Sequence, residues 1–216
     1  MIPSDLALVI PPEAYPYAVA QSGALDQFRD RPGAFREEFD RLQRQRFESI
    51  LDYLPAKPIP RVLDVGGGLG GIDVLISRHY GGLAQIWLLD GVGFPPVVES
   101  HDRPFNDMEV SRAFLKANGV DLAGFWTPKA AMTKPEAHYR TSMGFDLVVS
   151  FAAWGFHIAP GIYAETIHAI TRPEAAIIAD VRRDRRAWRD EFERWFRFVG
   201  VCQEGTKYER CVYERP

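Results

Sequence analysis

Val62-Leu63-Asp64-Val65-Gly66-Gly67-Gly68-Leu69-Gly70-Gly71 places five glycines in six positions directly after a short apolar run. Such a run is a strand that ends in a tight turn, because glycine adopts backbone conformations closed to other residues and lets the chain approach a ligand closely. Ile72 to Tyr80 then reads as a helix, and Gln85-Ile86-Trp87-Leu88-Leu89 as a second strand that stops at Asp90. Strand, glycine loop, helix and strand are the opening of a parallel, doubly wound α/β sheet.

Upstream, Phe35, Phe39, Leu42, Ile50 and Leu51 recur at helical spacing between Pro32 and about Tyr53, with arginine and glutamate between them. This predicts an amphipathic helix, stopped by Leu54-Pro55-Ala56-Lys57-Pro58. Residues 1–23 are rich in proline and aromatics, carry no period, and are expected to be irregular or partly helical. Downstream, residues 91–106 read as an irregular stretch, Glu109 to Ala117 as a helix closed by Asn118-Gly119, and Leu122 to Trp126 as a weak strand. Phe145 to Ser150 is a buried strand by its β-branched content. A helix over Ile162 to Ile170, broken at Arg172-Pro173, precedes another buried strand from Ala175 to Val181. Asp184 to Phe196 carries Trp188, Phe192, Trp195 and Phe196 on one side of a helix. Phe198 to Val201 and Tyr208 to Tyr213 predict a closing antiparallel hairpin.

The 216 residues suit one α/β unit with a single core, and the composition, 46% hydrophobic and 25% charged, is that of a globular protein. A net charge of -3 gives no global field toward nucleic acid or an anionic membrane, so neither is expected as a partner. No apolar run approaches the roughly 18–20 residues of a membrane span. Two cysteines, Cys202 and Cys211, are too few for a secreted disulfide scaffold, and a cytoplasmic protein is expected. His79, His101, His138 and His168 show no metal-ligand spacing, and no metal is expected.

Asp64-x-Gly66-x-Gly68-x-Gly70 resembles the first motif of the class I S-adenosylmethionine-dependent methyltransferases. The resemblance implies a mostly parallel seven-stranded sheet with a terminal antiparallel hairpin over residues 58–216, and S-adenosyl-L-methionine as cofactor. It assigns Gly66, Gly67, Gly68 and Gly70 to the turn beneath the cofactor, Asp64 to its amino group and Asp90 to its ribose hydroxyls. The helix N-terminus after the turn would offer free N–H groups to the cofactor carboxylate. Residues 1–57 lie outside the resemblance and form an N-terminal helical extension, read either as a lid or as an additional packed layer. Gly66, Gly68 and Gly71 also satisfy the dinucleotide fingerprint, with Asp90 near its expected acid position. Two features favour S-adenosylmethionine: the acid at Asp64, for which a nicotinamide dinucleotide has no use, and the terminal hairpin.

The Ser150-Phe151-Ala152-Ala153-Trp154-Gly155-Phe156-His157 segment resembles the crest after the fourth strand in bacterial methyltransferases labelled as acting on sugars or small metabolites. It places Ser150 and Trp154 beside the cofactor and makes His157 the candidate general base, since histidine titrates near neutrality. Tyr15 and Tyr17 would hold the substrate or accept a proton if their segment closes over the site. The bland readings stand beside these: a structural His157, and packing roles for Trp154 and the tyrosines. Asp180 either reaches the substrate or pairs with Arg182 and Arg183. The seven arginines of residues 182–197 read as a solvated helix face laced with ion pairs. The expected activity is methyl transfer to an oxygen or nitrogen of a small-molecule substrate. Cyclisation of the cofactor with release of methylthioadenosine, and a non-catalytic binding module, are the alternatives. The sequence does not fix the oligomeric state.

Overall fold

The computed structural model describes residues 7–90, 107–126 and 144–216. The predicted stretch at 91–106, together with His101 and His138, lies outside them.

The sheet is built from β1 (Arg61–Val65), β2 (Gln85–Leu89), β3 (Gly124–Trp126), β4 (Phe145–Ser150), β5 (Thr171–Arg182), β6 (Arg197–Glu204) and β7 (Tyr208–Glu214). Its strand order is β3-β2-β1-β4-β5-β7-β6. The first five strands pair in parallel, and β7 lies antiparallel between β5 and β6. The helices are α1 (Tyr15–Gln21), α2 (Pro32–Glu48), α3 (Gly71–His79), α4 (Met108–Ala117), α5 (Ala164–Ile170) and α6 (Arg186–Glu193).

Alternation along the strands sorts the apolar residues onto two covered faces. Val62, Leu147, Val149, Ile178 and Val212 point to one core, which α3 and α4 cover with Leu75 and Phe114. Leu63, Val65, Val148, Ile177, Cys211 and Tyr213 point to the other, covered by Ile167 of α5 and Phe192 of α6. Both faces are dry, so these strands read as continuous apolar runs. The N-terminal segment belongs to the first core: Ala14, Ala18, Leu25, Phe35, Phe39, Phe47 and Ile50 are buried within it. It is a packed layer on the sheet.

Several boundaries differ from expectation: α2 ends at Glu48 and not near Tyr53, and β3 begins at Gly124 and not at Leu122. β5 begins at Thr171, ahead of the predicted Ala175, through a register shift beside Phe145 and a left-handed Glu174. α6 ends at Glu193, before Trp195 and Phe196, yet Phe196 still reaches the core through a turn onto Phe192. Ion pairs within this region join Arg182 to Asp184 and, along the helix, Arg189 to Glu193, whereas Arg183 and Arg197 pair outside it, with Glu204 and Glu214 of the hairpin. Among the described residues no helix is long and apolar enough to cross a membrane.

Asp180 also pairs with an arginine, but with Arg210, its cross-strand partner in the β5–β7 register. Arg210 Nε donates to Asp180 Oδ1 at 2.8 Å and its Nη2 to Oδ2 at 3.2 Å. Its Nη1 donates to Ser49 Oγ at 2.9 Å and Gln203 Oε1 at 2.5 Å. Both partners are buried, which ties β5, β7, β6 and the end of α2 into one unit. Removing one member of such a pair strands the other charge away from water, at about 3–5 kcal/mol. Asp180→Ala is therefore expected to lower unfolding free energy by about that amount in chemical denaturation. Replacing both partners by leucine and methionine should recover most of the loss, and an unchanged midpoint for the single variant would contradict this account.

Candidate functional site

The chain runs outward from β1 to β3 and then crosses back to place β4 on the other side of β1. Open α/β sheets bind ligands at that reversal, outside the carboxyl ends of the strands. Here the glycine turn after β1 and the crest after β4 meet at this point.

The turn needs its glycines. Gly66, Gly68 and Gly70 all have positive φ, and a Cβ at Gly66 would collide with that of Ala153 on the crest. Three side chains pin the turn from different elements. Asp90 Oδ2 accepts from Gly68 N–H at 2.7 Å, Gln21 Oε1 at the end of α1 accepts from Leu69 N–H at 3.1 Å, and Ser111 Oγ of α4 donates to the Gly68 carbonyl at 2.7 Å.

Beneath the turn lie two carboxyls. Asp64 is 2% exposed, and a Cβ at Gly67 would come within 2.6 Å of its Oδ2. Burial pushes Asp64 up to about 7, and the negative charge of Asp90 adds to the rise; a hydrogen bond from Asp73 and the cation of Arg46 hold it down. Asp73 on α3 is fully buried, and neither oxygen has a partner of good hydrogen-bond geometry. Burial first, and Asp64 second, push Asp73 well above the usual carboxylate range, so Asp73 keeps the proton of the pair and offers it to Asp64.

On the crest, Ser150 Oγ donates to the Val65 carbonyl at 2.7 Å and accepts from Trp154 N–H at 2.8 Å. Ser150 thus locks the β4 crest to the start of the glycine turn. Trp154 is fully buried against Phe192, with Nε1 donating to the Pro160 carbonyl at 2.9 Å, and supports the crest from within the second core. Ala152 sits at φ 56, a conformation that costs a non-glycine residue about 1–2 kcal/mol. Its N–H donates to Asp180 Oδ2 at 3.1 Å, which holds it there.

His157 lies at the exposed end of this crest, its ring against Phe156. Desolvation of the ring lowers its pKa, as does the nearby cation of Arg182, so it is neutral at pH 7. Tyr15 and Tyr17 are placed elsewhere. Tyr15 donates its hydroxyl to the Arg29 carbonyl at 3.1 Å and packs edge-on against Phe35, while Tyr17 borders the first core.

The structure therefore brings together Asp64, Gly66, Gly67, Gly68, Gly70, Asp90 and Ser150, and sets His157, Tyr15 and Tyr17 at the periphery. Asp73, Gln21 and Ser111 complete the site without having been singled out from sequence. Only Asp73 carried a signal, as a carboxylate inside the apolar run Ile72-Val74-Leu75-Ile76. Among the described residues no group of three or more histidine, cysteine, aspartate or glutamate side chains could hold a metal.

A doubly wound sheet closed by a reversed hairpin, with acids at the ends of two adjacent strands around a glycine turn, defines a Rossmann-like class of α/β protein. Its solved relatives in shape make the class specific: the chain has the fold of the class I S-adenosylmethionine-dependent methyltransferases. No protein-family model matches the sequence, and no curated protein matches it. The N-methyltransferase NodS from Bradyrhizobium japonicum WM9 aligns at 13% identity over 81% of this chain and 96% of its own, with a TM-score of 0.52. TrmN from Thermus thermophilus aligns at 18% identity over 79% of this chain and 48% of its own, with a TM-score of 0.53. Fibrillarin in its complex with Nop5p aligns at 12% identity over 81% of this chain and 82% of its own, with a TM-score of 0.52. At these identities the likeness establishes the fold. It also corrects one expectation, the exclusion of nucleic acid as a partner, because a tRNA methyltransferase and the RNA-associated fibrillarin share this architecture. Net charge is a sum over the whole surface, whereas a partner reads only the local field at a binding face.

The raised carboxyls make stability depend on pH in a definite direction. A carboxyl whose folded pKa lies above its unfolded value stabilises the fold at low pH and loses that contribution as pH rises through the folded value. For Asp64 the window runs from about 4 to about 7. Asp73→Asn, which keeps the shape and a donor, is expected to flatten the fall in unfolding free energy between pH 5 and pH 8 and to stabilise the protein at pH 8. A variant with the same pH slope as the parent would show that the pair is ionised in the fold.

Proposed function

We propose that the chain is an S-adenosylmethionine-dependent methyltransferase that acts on an oxygen or nitrogen of a small metabolite. The observation that carries this reading is the placement of Asp64 and Asp90 at the ends of adjacent strands around the glycine turn, with Asp64 buried against Gly67. A carboxyl held near neutrality by burial gains most from a fixed cation, which suits the amino group of the cofactor. The close backing of Gly67 by a carboxyl disfavours a pyrophosphate there. Asp90 would take the ribose hydroxyls in addition to its bond to Gly68, and α3 would face the cofactor carboxylate with its N-terminus. The residues fit the group.

When bound, the cofactor supplies a methyl group on a sulfonium, already a good leaving group. The chain's part is to align the acceptor, exclude water and receive a proton. Ser150, Trp154 and the strained Ala152 hold the crest rigid. His157, neutral at pH 7, is the candidate to take the acceptor's proton. The N-terminal layer reaches the glycine turn through Gln21, which narrows access to the strand ends and favours a small acceptor. Tyr15 and Tyr17 belong to that layer and would contact the acceptor only after a rearrangement of it. Two unbonded thiols, Cys202 and Cys211, whose pKa values burial pushes up to about 11, support a reducing compartment, the cytoplasm.

Calorimetry with S-adenosylmethionine is expected to show binding that Asp90→Ala weakens by roughly 1–3 kcal/mol, the cost of losing a charged hydrogen-bond partner. Mass spectrometry of the nucleoside product should find adenosylhomocysteine once an acceptor is present. Methylthioadenosine would point to cyclisation, and affinity for a nicotinamide dinucleotide in place of S-adenosylmethionine would end the reading.

His157→Ala is expected to keep cofactor affinity and to slow turnover. In the parent, the acid limb of the rate profile should fall below pH 6.5, the usual histidine value, because the folded pKa is lowered. Full activity in the variant would remove His157 from the reaction.

A further inference from the structure

The peptide group that joins Gly68 to Leu69 is held at both of its polar ends. Ser111 Oγ, fully buried on α4, donates to the Gly68 carbonyl at 2.7 Å, and the Leu69 N–H donates to Gln21 Oε1 at 3.1 Å. Gln21 is the last residue of α1 and is half-buried. The preceding peptide is fixed as well, because the Gly68 N–H donates to Asp90 Oδ2 at 2.7 Å. Between these two peptides Gly68 turns through φ 57, and a Cβ there would fall 2.5 Å from Gln21 Oε1. Position 68 therefore needs glycine twice over, for its left-handed backbone and for the contact with α1.

A glycine-rich turn is where a peptide plane rotates at least cost, since no side chain resists the change. The clamp removes that freedom from the Gly68–Leu69 peptide, and so from the backbone that lies over Asp64, whose Oδ2 a Cβ at Gly67 would meet at 2.6 Å. Its two ends differ. Ser111 closes it from inside the core, whereas Gln21 closes it at the rim, from a layer that the sheet does not itself contain. That layer is anchored without the amide: Ala14 and Ala18 of the same segment are fully buried in the first core. The Gln21 oxygen thus serves the turn more than it serves α1.

We propose that Gln21 is a positioning residue for the cofactor. By accepting from the Leu69 N–H it holds the turn in the shape that receives the amino-acid end of S-adenosylmethionine, and it ties cofactor affinity to the N-terminal layer. This rests on the methyltransferase reading above. The ribose is left to Asp90, so Gln21 acts on one half of the ligand only. The coupling is reciprocal: a ligand that favours the clamped turn also strengthens the turn's hold on α1.

The test uses the whole chain and two ligands titrated by calorimetry. One is S-adenosylhomocysteine; the other is methylthioadenosine, which keeps the adenosine and the thioether but lacks the amino-acid end. Gln21→Met keeps the length of the side chain and removes the acceptor. It is expected to weaken S-adenosylhomocysteine about three- to tenfold, the worth of one neutral hydrogen bond, and to leave methylthioadenosine within twofold. Gln21→Glu restores an acceptor for the Leu69 N–H and should recover the parent affinity to within twofold. Hydrogen exchange at Leu69 and in α1 should slow when S-adenosylhomocysteine binds the parent, and the slowing in α1 should vanish in Gln21→Met. An equal loss for both ligands, with a lowered melting temperature, would mark a merely structural glutamine and overturn the proposal. Unchanged or tighter binding of S-adenosylhomocysteine by Gln21→Met also overturns it. So does a Gln21→Glu variant that binds no better than Gln21→Met, which would assign the amide N–H groups to the ligand itself. If the parent fails to bind S-adenosylhomocysteine, the methyltransferase reading falls and this inference with it. Parent binding without the selective loss sinks this inference alone.

Discussion

Keeping the Asp64 carboxyl out of water is the constraint around which the carboxyl edge of the sheet is organised. A buried carboxylate without a cation is expensive enough that the group shifts its pKa instead of staying charged, and Asp64 does so. Everything packed against it follows. Position 67 must be glycine, because the carboxyl fills the space a Cβ would need. Asp73 must hold a proton, because two adjacent buried carboxylates cannot both be charged. Gly68 is drawn to Asp90 by a short hydrogen bond, so the turn is fixed before any ligand arrives. Preorganisation of this kind is paid for in folding stability and recovered in binding.

Much of this architecture was legible in the chain because the parallel strands are buried on both faces. β2 and β4 have the bounds that their apolar runs predict, Gln85–Leu89 and Phe145–Ser150, and the hairpin follows from its two short β-rich segments. The glycine turn and its acids were readable for a different reason: backbone conformation restricts residue type there. What could not be read was any interaction between residues distant in sequence whose side chains are common surface types. Arg210 sits between acidic and apolar neighbours in a hairpin and looks like an exposed arginine; only the β5–β7 register puts it opposite Asp180. Gln21 and Leu69 are 48 residues apart, and no local pattern marks a glutamine as the support of a distant turn. For Asp180 the sequence leaves two readings, reaching the substrate or pairing with Arg182 and Arg183, its neighbours in the chain. Those side chains find Asp184 and Glu204 at the solvent-facing end instead.

The N-terminal segment shows how one element can serve both as core and as cover. Its phenylalanines and alanines bury the helical face of α2 and the inner side of α1 against the sheet, so it cannot leave without exposing that surface. Its polar side chains do different work at the rim: Gln21 meets Leu69 N–H, and a Cβ at Gly71 would run into Gln43. A layer anchored by apolar packing and in contact with the glycine turn through amides can adjust the rim by side-chain rotation alone. The tyrosines of α1, whose rings are part of that packing, are held back from the strand ends.

The charges of the edge follow the same division. On the β1–β2 side the acids Asp64, Asp73 and Asp90 are gathered, a field that favours a cation. On the β5–β7 side, Arg210 neutralises Asp180 in a buried pair. Burial strengthens these interactions, since they are not screened as surface charges are. β4 lies between them, and its crest is braced from each side, by Ser150 to Val65 and by Ala152 to Asp180. The strained Ala152 sits on that crest, and its conformation persists because the same Asp180 that neutralises Arg210 also holds its N–H.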